Sequence, residues 1–93
     1  MPTAENLVNR IADADKGDER YSQSSIIARA LVSQGVSQAD ASVFVRAKGC
    51  PVERLVNAYG YGSARVAIDL AIEAVDREIS QETIRATGAR PRI

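Results

Sequence analysis

The side chains that could take part in catalysis are few, and they lack the partners that catalysis requires. The chain of 93 residues contains no histidine and a single cysteine, Cys50. Histidine is the commonest general base and a frequent metal ligand, and without it neither a Cys–His pair nor a Ser–His–Asp triad can form. A cysteine before a helix start can be reactive, but we interpret Cys50 as a small packing residue in a loop.

Three carboxylates, Asp69, Glu73 and Asp76, share one side of a predicted helix at spacing i, i+4 and i+7. Such residues can act as general acid and base or hold a divalent cation. Because apolar residues are interleaved with them, we interpret the three as a solvated surface. The segment 13–15 reads Asp-Ala-Asp, as a calcium loop can begin, but Gly17 comes too early for the EF-hand spacing.

A glycine pair, Gly60 and Gly62, precedes a predicted helix start and could in principle hold an anion there. It lacks the lysine and the preceding strand of a phosphate-binding loop, so we interpret it as a turn with Ser63 as the following helix cap. The sequence therefore predicts a protein that is not an enzyme, with no catalytic residue, no cofactor and no metal.

Composition limits the remaining functional classes. The chain has 12 basic and 12 acidic residues, and it is 45% hydrophobic and 26% charged, which is typical of one small globular domain. A net charge of zero provides no overall field to attract nucleic acid or an anionic membrane. No signal-like start and no apolar run of about 20 residues is present, so we expect a cytoplasmic protein without membrane association. The scarcity of lysine beside arginine and alanine suggests a GC-rich bacterial genome.

Apolar spacing and capping residues predict the first three helices. Thr3 caps a first helix that ends near Ala14, and a charged loop follows. A second helix ends at Gly35, and Ser37 caps the third. The predicted core residues of these two helices are Ile26, Ile27, Ala30 and Leu31 in the second, and Val43, Phe44 and Ala47 in the third. We expect Phe44 near the middle of the core.

The second half of the chain predicts two further helices and a short last segment. Pro51 begins the fourth helix, which the Gly60–Gly62 pair ends, and the fifth spans residues 64–79. Its predicted buried stripe comprises Ile68, Ile72, Val75 and Ile79, widened by Val66, Leu70 and Ala71. Ser80 caps a segment that runs to Arg85. The prediction is an all-α, single-domain bundle of five or six short helices over residues 1–88, with residues 89–93 as a flexible, basic tail.

Residues 35–38, Gly-Val-Ser-Gln, resemble the turn that opens the recognition helix of helix-turn-helix DNA-binding proteins. The resemblance implies a nucleic-acid-binding regulator. The chain departs from that family at Leu31, where the family has a small residue. The outer side of the following helix offers Gln38, Asp40 and Ser42 instead of the positive charge that phosphates require.

Residues 31–59 resemble the ubiquitin-associated (UBA-like) three-helix module found at the start of elongation factor Ts. The matching residues are Gly35, Ser37, Ala41, Gly49, Val52, Glu53 and Val56. The resemblance implies a helical protein-binding module. Where the family binds ubiquitin through a Met-Gly-Phe loop and the end of its third helix, this chain has Gln34-Gly35-Val36 and Ala58-Tyr59, so the apolar anchors of the loop are depleted.

The absent catalytic residue types and the zero net charge favour a small protein-binding regulator, adaptor or inhibitor. Tyrosine and arginine are enriched at binding hot spots. The predicted partner contacts are Gln34, Gly35, Val36, Ser37, Arg54, Tyr59, Tyr61 and Arg65. The tyrosines could equally complete the core.

Two alternatives remain open at this point. One is a dimeric, helix-turn-helix-like nucleic-acid-binding regulator, joined through residues 64–79, with Arg85, Arg90 and Arg92 on the phosphates. The other is a self-assembling structural component of a larger particle.

Overall fold

The computed structural model describes residues 3–87, and these form an all-α bundle. The helices are α1 (Ala4–Ala14), α2 (Gln23–Ser33), α3 (Gln38–Arg46), α4 (Pro51–Tyr59) and α5 (Tyr61–Thr87), with a single 3-10 turn at Glu19–Tyr21 between α1 and α2. No strand occurs among these residues. The prediction of an all-α bundle with five or six helices is confirmed, and α1 has the predicted bounds.

Capping residues set the corners of the bundle. Ser22 accepts a hydrogen bond from the backbone N–H of Ser25, and Ser37 accepts one from that of Asp40. Gly35 has φ of +94°, a conformation that glycine adopts without the steric cost other residues bear. The sharp turn between α2 and α3 follows from this glycine and the serine cap two residues later.

The core lies between α5 and the helices α1, α2 and α4, and α3 packs on α2. All four predicted core residues of α2 are buried. The core comprises Leu7, Ile11, Tyr21, Ile26, Ile27, Ala30, Leu31, Ala41, Val52, Leu55, Ala64, Ala67, Ile68, Ala71, Ile72 and Val75. Ala64, Ala67 and Ala71 are small, which permits close approach of the neighbouring helices to α5.

The predicted core face of α3 is wrong. Val43 is 63% exposed, and Ala47 is exposed as well. Ala41 is the buried residue of this helix, with Phe44 and Val45 half-buried at its edge. Phe44 is therefore not at the middle of the core. The guanidinium of Arg54 lies over its ring, 4.9 Å from the ring centroid.

The predicted bounds of α5 are also wrong. The helix begins at Tyr61 instead of after Ser63, because Gly60 alone, with φ of +87°, makes the break. It continues through Ser80 to Thr87 without interruption. A serine caps a helix only where the chain turns. No proline or glycine directly follows Ile79 to end the helix, so Ser80 continues it.

The segment before α2 is bound to α5 by charged hydrogen bonds. Arg20 donates hydrogen bonds to Asp18 from its Nε and Nη2 atoms, at 2.9 and 2.7 Å. It also donates to Glu78 and Glu82 on α5. Arg29 on α2 donates two hydrogen bonds to Glu78. These hydrogen bonds lower the pKa of Asp18 to about 2 and hold the pKa of Glu78 below its ordinary value.

Tyr21 completes this attachment from inside the core. Its side chain is 1% exposed, and its hydroxyl donates to Asp76 on α5. The hydrogen bond raises the pKa of Tyr21 to about 12 and lowers that of Asp76, which Lys16 contacts at 3.3 Å. We call the set Lys16, Asp18, Arg20, Tyr21, Arg29, Asp76, Glu78 and Glu82 the polar clasp.

Candidate protein-binding groove

Four large apolar side chains are exposed along one side of the bundle, where α2 and α4 end beside α5. Val32 is 44% exposed, Tyr59 40%, Val66 59% and Leu70 54%. They line two connected depressions that share Leu70 and Ser33. We call this feature the α5 groove. Its walls come from four helices, α2, α3, α4 and α5, so the position of each side chain is set by the packed core beneath it.

One depression lies between the end of α2 and the start of α5. It is lined by Ser33, Gln34, Tyr59, Gly62, Ser63, Val66, Ala67 and Leu70. The other continues along α2, α3 and α5 and is lined by Ser25, Ala28, Arg29, Val32, Ser33, Gln38, Ser42, Leu70, Ala71, Ala74 and Arg77. Gln38 and Ser42, which a recognition helix would present to DNA, thus face α5 across this depression.

The exposed residues of α5 lie opposite its buried stripe. Successive residues of an α-helix are rotated by about 100°, so residues two apart point in nearly opposite directions. Val66 is two positions before the buried Ile68, and Leu70 lies two positions from both Ile68 and Ile72. The prediction that Val66 and Leu70 widen the buried stripe is therefore wrong, because they form a second apolar face.

The charges along this second face belong to Glu73 and Arg77. Both are exposed, and within residues 3–87 neither takes part in an ion pair. Arg77 borders the groove, and Glu73 lies one turn before it. Arg29, the other charged lining residue, is already paired with Glu78. The groove thus has apolar lining residues with Arg77 at its border, and the exposed face of α5 carries one acid and one base that form no ion pair within the described residues.

The structure brings together some of the predicted contact residues. Gln34 and Tyr59 line the same depression. Gly35 and Ser37 are exposed in the adjoining turn. Arg65 is exposed on α5 but is absent from the groove lining.

Three further predicted contacts have roles inside the fold. Arg54 donates to the carbonyl oxygens of Phe44 and Ala47, at the C-terminal end of α3. Val36 and Tyr61 are half-buried and pack on the core. As partner contacts, these residues remain predictions.

The residues named for the nucleic-acid alternative are only partly within the described chain. Arg85 is exposed in the last turn of α5. Arg90, Arg92 and the proposed tail at 89–93 lie outside residues 3–87. That alternative remains a prediction.

Reasoning from the sequence missed Val32, Val66 and Leu70 as surface residues. For Val66 and Leu70 the signal was present: α5 carries large apolar residues at 66 and 70 as well as at 68 and 72, more than one face can bury.

Comparisons with known proteins do not assign this chain to a family. No family model, no curated protein and no solved structure matches it. Over residues 3–87, no helix is both long enough and apolar enough to cross a membrane. In the same range, no three cysteine or carboxylate side chains are grouped so that they could hold a metal ion.

Proposed function

We propose that this chain is a small, non-enzymatic protein-binding module that acts as a regulator, adaptor or inhibitor through the α5 groove. The observation that carries the proposal is the cluster of Val32, Tyr59, Val66 and Leu70, which are 40–59% exposed on adjoining walls. A contiguous apolar patch on a small protein is a typical mark of an interaction surface.

The energetics favour a protein as the ligand. Burying apolar surface contributes about 25 cal/mol per Å², and grooves between helices commonly accept the apolar side of a partner helix. Tyr59 supplies an aromatic anchor of the kind enriched at binding hot spots. The groove is open instead of enclosed, which suits a polypeptide segment better than a small molecule.

The proposal can be tested by comparing two equivalent substitutions, Val66→Glu and Val43→Glu. Both valines are exposed on helices, at 59% and 63%, but only Val66 lies in the groove. A charge in the groove should abolish binding because desolvating an unpaired carboxylate is costly. The same charge on α3 should have no effect.

The measurement is retention of proteins from a lysate of the source organism by the tagged wild type and both variants, with and without nuclease. We expect a protein retained by the wild type and by Val43→Glu and lost with Val66→Glu, independent of nuclease. Equal retention by all three forms would contradict the groove as the binding site. Loss of all retained material after nuclease would favour the nucleic-acid alternative.

A further inference from the structure

We propose that the partner of the α5 groove is a second copy of this chain, bound with the two α5 helices antiparallel. This inference rests on the proposed function, because it names the occupant of the same surface. Its basis is the self-complementary order of apolar and charged residues along the exposed face of α5.

The exposed face of α5 has the spacing of a helix-pairing seam. Val66, Leu70, Glu73, Arg77 and Ile84 follow at intervals of four, three, four and seven residues. Val66 and Ile84 are 18 residues apart, which is five complete turns, so both point in the same direction. Val66, Leu70 and Ile84 are 59%, 54% and 46% exposed. The seam is therefore apolar towards both ends and charged in the middle.

The charges in the middle specify the direction of pairing. In a parallel pair, Glu73 would face Glu73 and Arg77 would face Arg77 of the other copy, which is repulsive. In an antiparallel pair centred near residue 75, Glu73 of each copy faces Arg77 of the other, and two ion pairs form about the two-fold axis. Both residues are exposed and outside any ion pair in the described part of the chain.

The same register places the end of α5 against the second copy. The last fully buried residue of the helix is Val75, Ile79 is half-buried against the core, and all of residues 80–86 are exposed. With the pair centred near residue 75, this end lies over the start of α5 in the other copy, and Ile84 meets Val66. The extended end of one copy thus covers the apolar patch of the other.

The size of the seam predicts a reversible pair. From Val66 to Ile84 the helix spans about 27 Å, at 1.5 Å per residue. We expect one helix face of this length to bury less than the roughly 800 Å² per partner of a standard interface. We therefore expect a dissociation constant in the micromolar range.

A charge-exchange experiment tests the pairing directly. Glu73→Arg and Arg77→Glu each place like charges opposite one another in their own dimers, so each variant alone should dimerise about tenfold or more weakly than wild type. In an equal mixture, the copy with Glu73→Arg presents two bases at these positions and the copy with Arg77→Glu presents two acids. Both ion pairs across the two-fold axis are then restored. The measurement is sedimentation equilibrium over a range of protein concentrations, with helical circular dichroism to confirm that each variant is folded.

The expected result is a wild-type dimer, weakened by either substitution and recovered in the mixture to within about twofold. A wild-type protein that stays monomeric at all concentrations would overturn the inference, and so would a mixture that behaves like its components. If the protein is monomeric but Val66→Glu still loses a retained protein that Val43→Glu keeps, the groove binds protein and only self-pairing fails. If neither effect is seen, the proposed function fails with it.

Discussion

The two faces of α5 carry similar residues and meet opposite environments. On the inner face, Ile68, Ile72 and Val75 are at most 2% exposed. On the outer face, Val66 and Leu70 are more than half exposed although they are just as apolar. The polar clasp borders the inner face with paired charges, whereas Glu73 and Arg77 on the outer face have no ion pair within the described residues.

This difference shows that α5 carries two apolar stripes on opposite faces. One apolar stripe is buried in the chain's own core, and Val66 and Leu70 of the second stripe remain more than half exposed. Hydrophobic burial stabilises in proportion to the area removed from water, so the inner stripe supports folding and the outer stripe is available for association. Substitutions on the two faces should therefore affect different measurements.

The largest expected difference is between Ile68→Ala and Leu70→Ala. Ile68 is fully buried, and its truncation should lower the free energy of unfolding by about 3 kcal/mol, from lost transfer energy and the cavity left behind. Leu70→Ala should cost less than about 1 kcal/mol in the monomer. Urea unfolding at protein concentrations too low for association measures both. Similar losses would mean that Leu70 belongs to the folded core.

We expect acid to lower the free energy of unfolding by protonating the carboxylates of the polar clasp. The folded-state pKa values of Asp18, Asp76 and Glu78 lie below their ordinary values of 3.8, 3.8 and 4.5. A carboxylate with a depressed pKa contributes stability that is present above its unfolded pKa and lost as pH falls through the folded value. We expect a plateau in unfolding free energy above about pH 5 and a decline towards about pH 2.

Neutral amides in place of the clasp carboxylates should flatten that decline. Asp76→Asn keeps an oxygen that can accept the Tyr21 hydrogen bond but no longer titrates, so the acid dependence of urea unfolding should become shallower. Glu73→Gln, on the outer face and outside the clasp, is the control and should leave the curve as in wild type. The same slope in both variants would show that the clasp does not set the acid response.

A smaller loss is expected from Tyr21→Phe. The substitution removes the hydroxyl that donates to Asp76 and leaves the buried ring, so the free energy of unfolding should fall by about 1 kcal/mol. Tyr59→Phe is the matched control, because no hydrogen bond from the Tyr59 hydroxyl occurs within the described chain. Thermal unfolding followed by circular dichroism compares the two. A larger loss in Tyr59→Phe would contradict the claim that the Tyr21 hydroxyl, and not that of Tyr59, stabilises the fold.

The smallest effect should be at the start of α5. Gly62 lies inside the helix, and a Cβ added there meets nothing within 4 Å. Gly62→Ala should therefore raise the unfolding free energy by roughly 0.5 kcal/mol, through higher helix propensity. Gly60→Ala should instead lower it by about 1 kcal/mol, because the residue has φ of +87°. A loss at both positions would indicate that α5 begins after Gly62.

The sequence predicts best the elements in which one apolar stripe dominates. The buried face of α2 could be derived in full because Ile26, Ile27, Ala30 and Leu31 form one stripe at helical spacing and Gly35 marks the end of the helix. The bounds of α1 followed from Thr3 and the charged loop after Ala14.

The sequence predicts poorly the helices with apolar residues on several sides. In α3, Val43 and Phe44 form one helical stripe, and Ala41, Phe44 and Val45 form another. Only the packing of neighbouring helices decides between them, and it selects the second. The same ambiguity in α5 concealed the groove, because Val66 and Leu70 look like core residues until their direction relative to Ile68 is known.

The most direct test of the outer face as a docking surface is a dilution series of amide chemical shifts by NMR. We predict concentration-dependent shifts at Tyr59, Val66, Leu70 and Arg77, with none around Val43. Spectra that do not change with concentration, or changes centred on Val43, would contradict the pairing of two copies through α5.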